Sequence, residues 1–256
     1  MAVSWHLACN SMKPRLLLLV AAACITIALS AQTPVLVLEP VLGDAPDLSP
    51  AQFALFDKYT KAMTSEIELN ATEQAWFDSM YYAVGETRES PCQVIGMECS
   101  WYCGGGPDSS WATSSQKAQG QHTYDPANAH DLDYCTAWCE GVSGPGIGQS
   151  ITYRFGPQSP RLHTIKVSNG LVTSETAWRA NNRVKRLLVL ENDTIVAELH
   201  LADSMEDQTF TLPRLFGKRA DGLPMDLTFT ILEVYPGERF DDTVITEIWF
   251  DGTDVH

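Results

Sequence analysis

Between residues 150 and 250 the chain is a succession of short runs in which apolar and polar residues alternate. The runs cover 150–155, 161–167, 184–190, 194–201, 208–212, 226–235 and 244–250. In the first, Ile151, Tyr153 and Phe155 alternate with polar partners; in the fourth, Ile195, Ala197 and Leu199 do. Side chains of a strand leave it on opposite faces with a period of two, so each run offers one face to a core and one to water. Asn192-Asp193 separates two runs at hairpin distance. Seven or eight short strands joined by turns predict an antiparallel β-sandwich or jelly roll.

The texture upstream is different. Residues 32–48 are rich in Pro and Val and read as an extended lead-in. Ser49 is a good N-cap, Pro50 suits the first helical position, and Gln52 is placed to close a capping box. Phe53, Phe56 and Met63 then lie along one face. Asn70 and Glu73 repeat the capping pattern, followed by Trp76, Phe77, Met80, Tyr81 and Val84 at helical spacing. Two short helices over 49–84 are expected, their aromatic face packed on the sandwich. Gly104-Gly105-Gly106-Pro107 ends any helix.

The first 31 residues have the form of a secretion signal: Lys13 and Arg15, a 14-residue apolar run at 16–29, then Ala28-Leu29-Ser30-Ala31. That run is too short to span a bilayer comfortably, and no other segment comes close. Cys24 follows three alanines as in a lipoprotein box, but the apolar run continues past it. The chain divides into a signal peptide at 1–31, an extended and helical leader at 32–103, and a jelly-roll domain at 104–256. Export to the periplasm, the cell surface or the medium follows as an expectation. The chain has 17 Lys and Arg against 32 Asp and Glu, a net charge of −15, which becomes −17 without Lys13 and Arg15. Such a surface repels phosphate backbones and anionic lipids, which argues against a nucleic-acid partner. Cys92, Cys99, Cys103, Cys135 and Cys139 follow the signal, and export favours two disulfides and one free thiol over a thiolate zinc site.

The stretch Asp131-Leu-Asp133-Tyr-Cys-Thr136-Ala-Trp138-Cys-Glu140 holds two carboxylates and a hydroxyl at i, i+2 and i+5. Hard oxygens crowded into one turn suit Ca²⁺. An Asx-rich turn entering a strand reads the same residues without a metal.

Four blocks carry a family resemblance: residues 131–148; Asn169-Gly170 with Trp178 and 181–185; Leu201-Ala202-Asp203 with Gln208-Thr209-Phe210; and Tyr235-Pro236-Gly237 with 241–248. With them, residues from about 109 to 252 resemble the discoidin, or coagulation-factor type C, family of galactose-binding-like jelly rolls. The bacterial branch named for the translocation domain of an NAD glycohydrolase is the nearest in pattern. The resemblance implies a structural Ca²⁺ between the loop before Trp138 and the last strand. Asp131, Asp133, Thr136 and Glu247 would give side-chain oxygens, and Asn128, Thr136 and Thr246 backbone oxygens. Cys135 and Cys139 depart from the common pattern beside that loop.

The resemblance also implies a glycan as partner. Aromatic faces, planar amides, carboxylates and guanidinium groups hold sugars, and Trp138, Glu140, Asn169, Trp178, Asn181, Asn182 and Arg183 are of these types. Plainer readings exist: Trp138 as core under a loop, Arg183 on a solvated strand face, Asn169-Gly170 as a turn. Hydrolase elbows, zinc-protease helices and phosphate loops are missing from the sequence, and NAD-cleaving chemistry is not part of the resemblance. A non-catalytic glycan-binding module is the leading expectation. An envelope scaffold or protein-binding module is the alternative, and a hydrolase a weaker one.

Overall fold

The computed structural model describes residues 34–64, 66–84, 90–95 and 100–255. The expected signal peptide, Cys24 and Cys99 lie outside the described residues. Eleven strands and three helices are found among those described. The strands are β1 (Val37–Leu38), β2 (Val41–Leu42), β3 (Ser109–Ala112), β4 (Trp138–Cys139), β5 (Ser150–Phe155), β6 (Leu162–Asn169), β7 (Arg183–Glu191), β8 (Thr194–His200), β9 (Gln208–Phe216), β10 (Met225–Tyr235) and β11 (Val244–Gly252). The helices are α1 (Pro50–Met63), α2 (Ala71–Val84) and α3 (Glu175–Ala180). Among the described residues no helix is long and apolar enough to cross a membrane.

The strands form two sheets, a β-sandwich. One runs β1-β8-β7-β10-β5-β3, the other β2-β9-β6-β11-β4. Every pairing is antiparallel except β1 with β8. The period of two sets the core. Ile151, Tyr153 and Phe155 of β5 are buried with Leu227, Phe229 and Ile231 of β10, in one cluster with Ile165, Val167, Phe210, Ile248 and Phe250 of the second sheet. Burying each such side chain stabilises by about 1.5–3 kcal/mol. The β7–β8 turn follows its sequence: Asn192 at φ 43° and Asp193 at φ 67° take the left-handed region, which Asn and Asp tolerate best after Gly.

Four expectations change. The extended lead-in joins both sheets, because β1 pairs with β8 and β2 pairs with β9. Strand β9 runs on to Phe216 through Pro213. A proline is tolerated there because β2 covers only Gln208 and Thr209, leaving the edge beyond without a ladder to lose. In α1 the buried residues are Phe56 and Tyr59, while Phe53 and Met63 are exposed; Tyr59 packs on Phe77 of α2 at 5.3 Å between ring centroids. Ser49 caps α1 by accepting the Gln52 N–H at 3.2 Å, but its own N–H donates to Asp47, so the capping box is only half formed. At Asn70 both halves are present.

Candidate functional site

The loop between the 3₁₀ turn Pro126–Ala129 and β4 gathers oxygen atoms at one end of the sandwich. Thr136 Oγ1 lies 2.9 and 2.8 Å from the two carboxylate oxygens of Asp131. It lies 3.3 Å from the backbone oxygens of Asn128 and Asp133. Glu247, fully buried on β11, reaches the same loop, its Oε1 accepting the Asp133 N–H at 2.9 Å. Its Oε2 is buried without a hydrogen-bond partner. Burial pushes the Glu247 carboxyl well above the usual carboxylate range, and Asp131 beside it pushes the same way. A buried carboxyl oxygen without a hydrogen-bond partner needs an explanation, and an all-oxygen donor set of Asp131, Thr136 and Glu247 would fit Ca²⁺.

Two of the expected ligands also use their side chains elsewhere. The Asp133 carboxylate accepts the Cys135 N–H at 2.8 Å, so its backbone oxygen is the atom that faces Thr136. The Thr246 side chain donates to Gly170 O at 2.6 Å and accepts from the Val172 N–H, tying β11 to the loop after β6. Cys135 is bonded to Cys92. Cys139 is a buried free thiol, and burial pushes that thiol up.

Most of the expected sugar ligands are buried clamps. Trp138 is fully buried and donates Nε1 to Ser114 O at 3.0 Å. Both amide atoms of Asn169 bond the backbone of Val184. Asn182 donates to Asp241 O and accepts the Gly237 N–H. Trp178 donates to Asn169 O at 2.8 Å and lies under Arg183 at 4.6 Å. Arg183, 6% exposed, grips both carboxylate oxygens of Asp203 and the carbonyls of Asn181 and Pro236. Glu140 is buried, and its carboxylate accepts the N–H groups of Val142 and Thr243. Gly146 fits over it at φ 65°, where a Cβ would come within 2.4 Å of Glu140 Cγ. These residues hold loops in place, because an interior polar group must be paired.

An open groove lies beside the oxygen-rich loop. Tyr124 and Leu171 line both of its lobes. One lobe, about 380 Å³, is walled by Thr136, Asn128 and His122. The other, about 140 Å³, is walled by Gln116, Asn181, Phe240 and Asp242. Phe240 is 43% exposed, and Gln116 Nε2 donates to Asp242 at 3.2 Å. Aromatic faces alternate here with amides and a carboxylate, the chemistry that sugar hydroxyls and C–H faces require.

The family model of the NAD glycohydrolase translocation F5/8 type C domain matches residues 101–251. The chain belongs to this family. No curated protein matches it. The structure of this F5/8 type C domain is similar to CpGH89CBM32-5 from Clostridium perfringens, solved with GalNAc-β-1,3-galactose, at 15% identity and TM-score 0.36 over 56% of this chain and 94% of that one. It is also similar to the CBM32-1 and CBM32-2 domains of Clostridium perfringens ZmpB, at 11% identity and TM-score 0.43 over 80% of this chain and 52% of that one. A third similar structure is a family 35 carbohydrate binding module from an environmental isolate, at 15% identity and TM-score 0.31 over 56% and 93%.

Of the seven residues expected to bind sugar in this F5/8 type C domain, Asn181 alone lines the groove. Sequence reasoning missed Tyr124, Gln116, Phe240 and Asp242. One signal was available: Tyr124 and Phe240 are lone aromatics inside polar loop sequence, where no periodic neighbour offers them a core.

Proposed function

We propose that this protein is an exported, non-catalytic glycan-binding module whose ligand lies in the groove between Tyr124 and Phe240, beside a calcium-bound loop. The observation that carries the reading is the pairing of the half-buried Tyr124 and the exposed Phe240 with Asn181, Gln116 and Asp242 in one groove. Family membership supports it. Asp131, Thr136 and Glu247 would hold Ca²⁺ with the backbone oxygens of Asn128 and Asp133. The ion would neutralise the buried Glu247 and tie β11 to the loop that walls the groove. A net charge of −15 favours neutral over sulfated or sialylated sugars, because like charges repel across the approach. Shallow, wet sugar sites give dissociation constants on the order of 1 mM to 1 μM, about −4 to −8 kcal/mol. A glycan array probed with the full-length secreted protein tests the reading. Binding to a defined neutral glycan supports it; silence across the array moves the assignment to an envelope scaffold.

A further inference from the structure

The loop that carries the oxygen donors is braced by a short segment of the leader. Cys92 is bonded to Cys135. The Tyr134 N–H donates to Cys92 O at 2.7 Å, and the Val94 N–H donates to Leu132 O at 3.0 Å. Gln93 and Asp133 are bridged in antiparallel register. Residues 92–94 therefore act as a one-rung strand laid along 132–134. Between them Leu132 sits at φ 61°, a conformation that is costly for a branched side chain and persists only when its surroundings impose it. Cys135 lies between Asp133 and Thr136 in the chain and lines the groove with Thr136 and Asn128. One covalent bond thus touches the strained turn, the oxygen donors and the groove wall. Both half-cystines are only half-buried, so a small thiol can reach them.

We propose that the Cys92–Cys135 disulfide is a redox-cleavable brace that sets the affinity of the 128–136 loop for its cation and, through that loop, the shape of the groove. The proposal rests on the reading of the loop as a calcium site. Opening the brace takes an external dithiol. One of its thiolates attacks a half-cystine sulfur, and the other resolves the mixed disulfide. Two electrons pass to the protein, the dithiol closes to its own disulfide, and Cys92 and Cys135 end as thiols carrying the two protons released. Without the bridge, relaxation of Leu132 is opposed by the short ladder at 92–94, the Asp133–Glu247 hydrogen bond and the packing of Leu132, with no covalent tie to the leader. Asp131 and Thr136 then lose their fixed separation from Glu247, which stays buried in β11.

The test uses the oxidised full-length chain, the same protein after dithiothreitol, and the C92S/C135S double variant. Calcium titration calorimetry and backbone hydrogen exchange are measured on each. The expected result is Ca²⁺ binding at least tenfold weaker without the bridge, with faster exchange confined to 128–136 while β5 and β10 keep their protection. Unchanged affinity and unchanged loop exchange would overturn the brace. Loss of protection throughout β5 and β10 would overturn it as well, since the bond would then be a general staple. Absence of Ca²⁺ binding to the oxidised chain overturns the cation reading itself, a result told apart because it appears before any reduction.

Discussion

Glu247 and Asp133 are joined by a 2.9 Å hydrogen bond across 114 residues of chain. The carboxylate belongs to the last strand and the N–H to the loop before β4. That bond fastens β11 to the loop before β4, and the second carboxylate oxygen of Glu247 is buried without a hydrogen-bond partner.

Calcium should raise the thermal stability of the purified protein. An ion that binds only the folded state, at about 100 times its Kd, adds roughly 2.7 kcal/mol. For a domain of this size that corresponds to a rise of about 5–11 °C in Tm. Melting with Ca²⁺ and with EDTA should show the difference, and Glu247→Gln and Thr136→Ala should each shrink it. Identical midpoints, with no metal by elemental analysis, would sink the assignment.

The pH dependence of the calcium-free protein should carry the mark of Glu247. Burial raises its carboxyl in the folded state, so the folded chain holds a proton that the unfolded chain has already lost. Stability from this group is full below the unfolded carboxylate range and is lost as pH rises toward the folded value. The metal-free protein should therefore melt higher near pH 5 than near pH 7.5 relative to Glu247→Gln, which lacks the effect. Saturating Ca²⁺ should remove the advantage of low pH, because the ion binds the ionised carboxylate. Equal slopes for wild type and Glu247→Gln without metal would falsify the account.

Tyr124→Ala and Phe240→Ala should each weaken glycan binding by about tenfold, or 1.4 kcal/mol; Phe240→Ala should leave the melting temperature nearly unchanged, whereas Tyr124→Ala should lower it, because Tyr124 packs on Ala137, Cys139 and Val244. Phe240 is 43% exposed, so its loss opens no cavity. Titration of a glycan identified on the array reads the affinity, and calorimetric melting reads the stability. A large loss of stability with retained affinity would place the ligand elsewhere.

Glu140→Ala and Asp203→Ala should behave in the opposite way. Removing Glu140 leaves the Val142 and Thr243 N–H groups unpaired, and removing Asp203 strips Arg183 of its carboxylate partner in a nearly buried site. Each loss should cost about 1–3 kcal/mol of stability. Chemical denaturation measures it, and unaltered stability in both variants would contradict the clamp role.

Cys139 should resist thiol reagents until the protein unfolds. It is 3% exposed, and burial disfavours the reactive thiolate. Alkylation under native conditions followed by peptide mass spectrometry should find Cys139 unmodified, and modified once denaturant is added. Rapid native labelling of Cys139 would show that the end of the sandwich opens.

The sandwich was readable in the sequence because a strand's period of two is local. Ile151, Tyr153 and Phe155 declare their inward face without knowledge of their partners, and Asn192-Asp193 declares its turn. The acidic loop was readable too, since Asp131 and Thr136 are near neighbours in the chain. The partnerships across long separations were decided by the tertiary structure. Nothing local distinguishes a tryptophan or arginine that meets a sugar from one that fills a core. Trp138 and Arg183 are buried because Ser114, Asp203 and Pro236 are brought to them by the closing of two sheets. The groove arises in the same way. Tyr124 and Phe240 lie 116 residues apart in the chain, and only the packing of their loops at one end of the sandwich puts them against a common space. The pairing of Cys92 with Cys135 belongs with them. Several connectivities are possible among the cysteines of the sequence, and the fold selects this one by laying residues 92–94 along the loop.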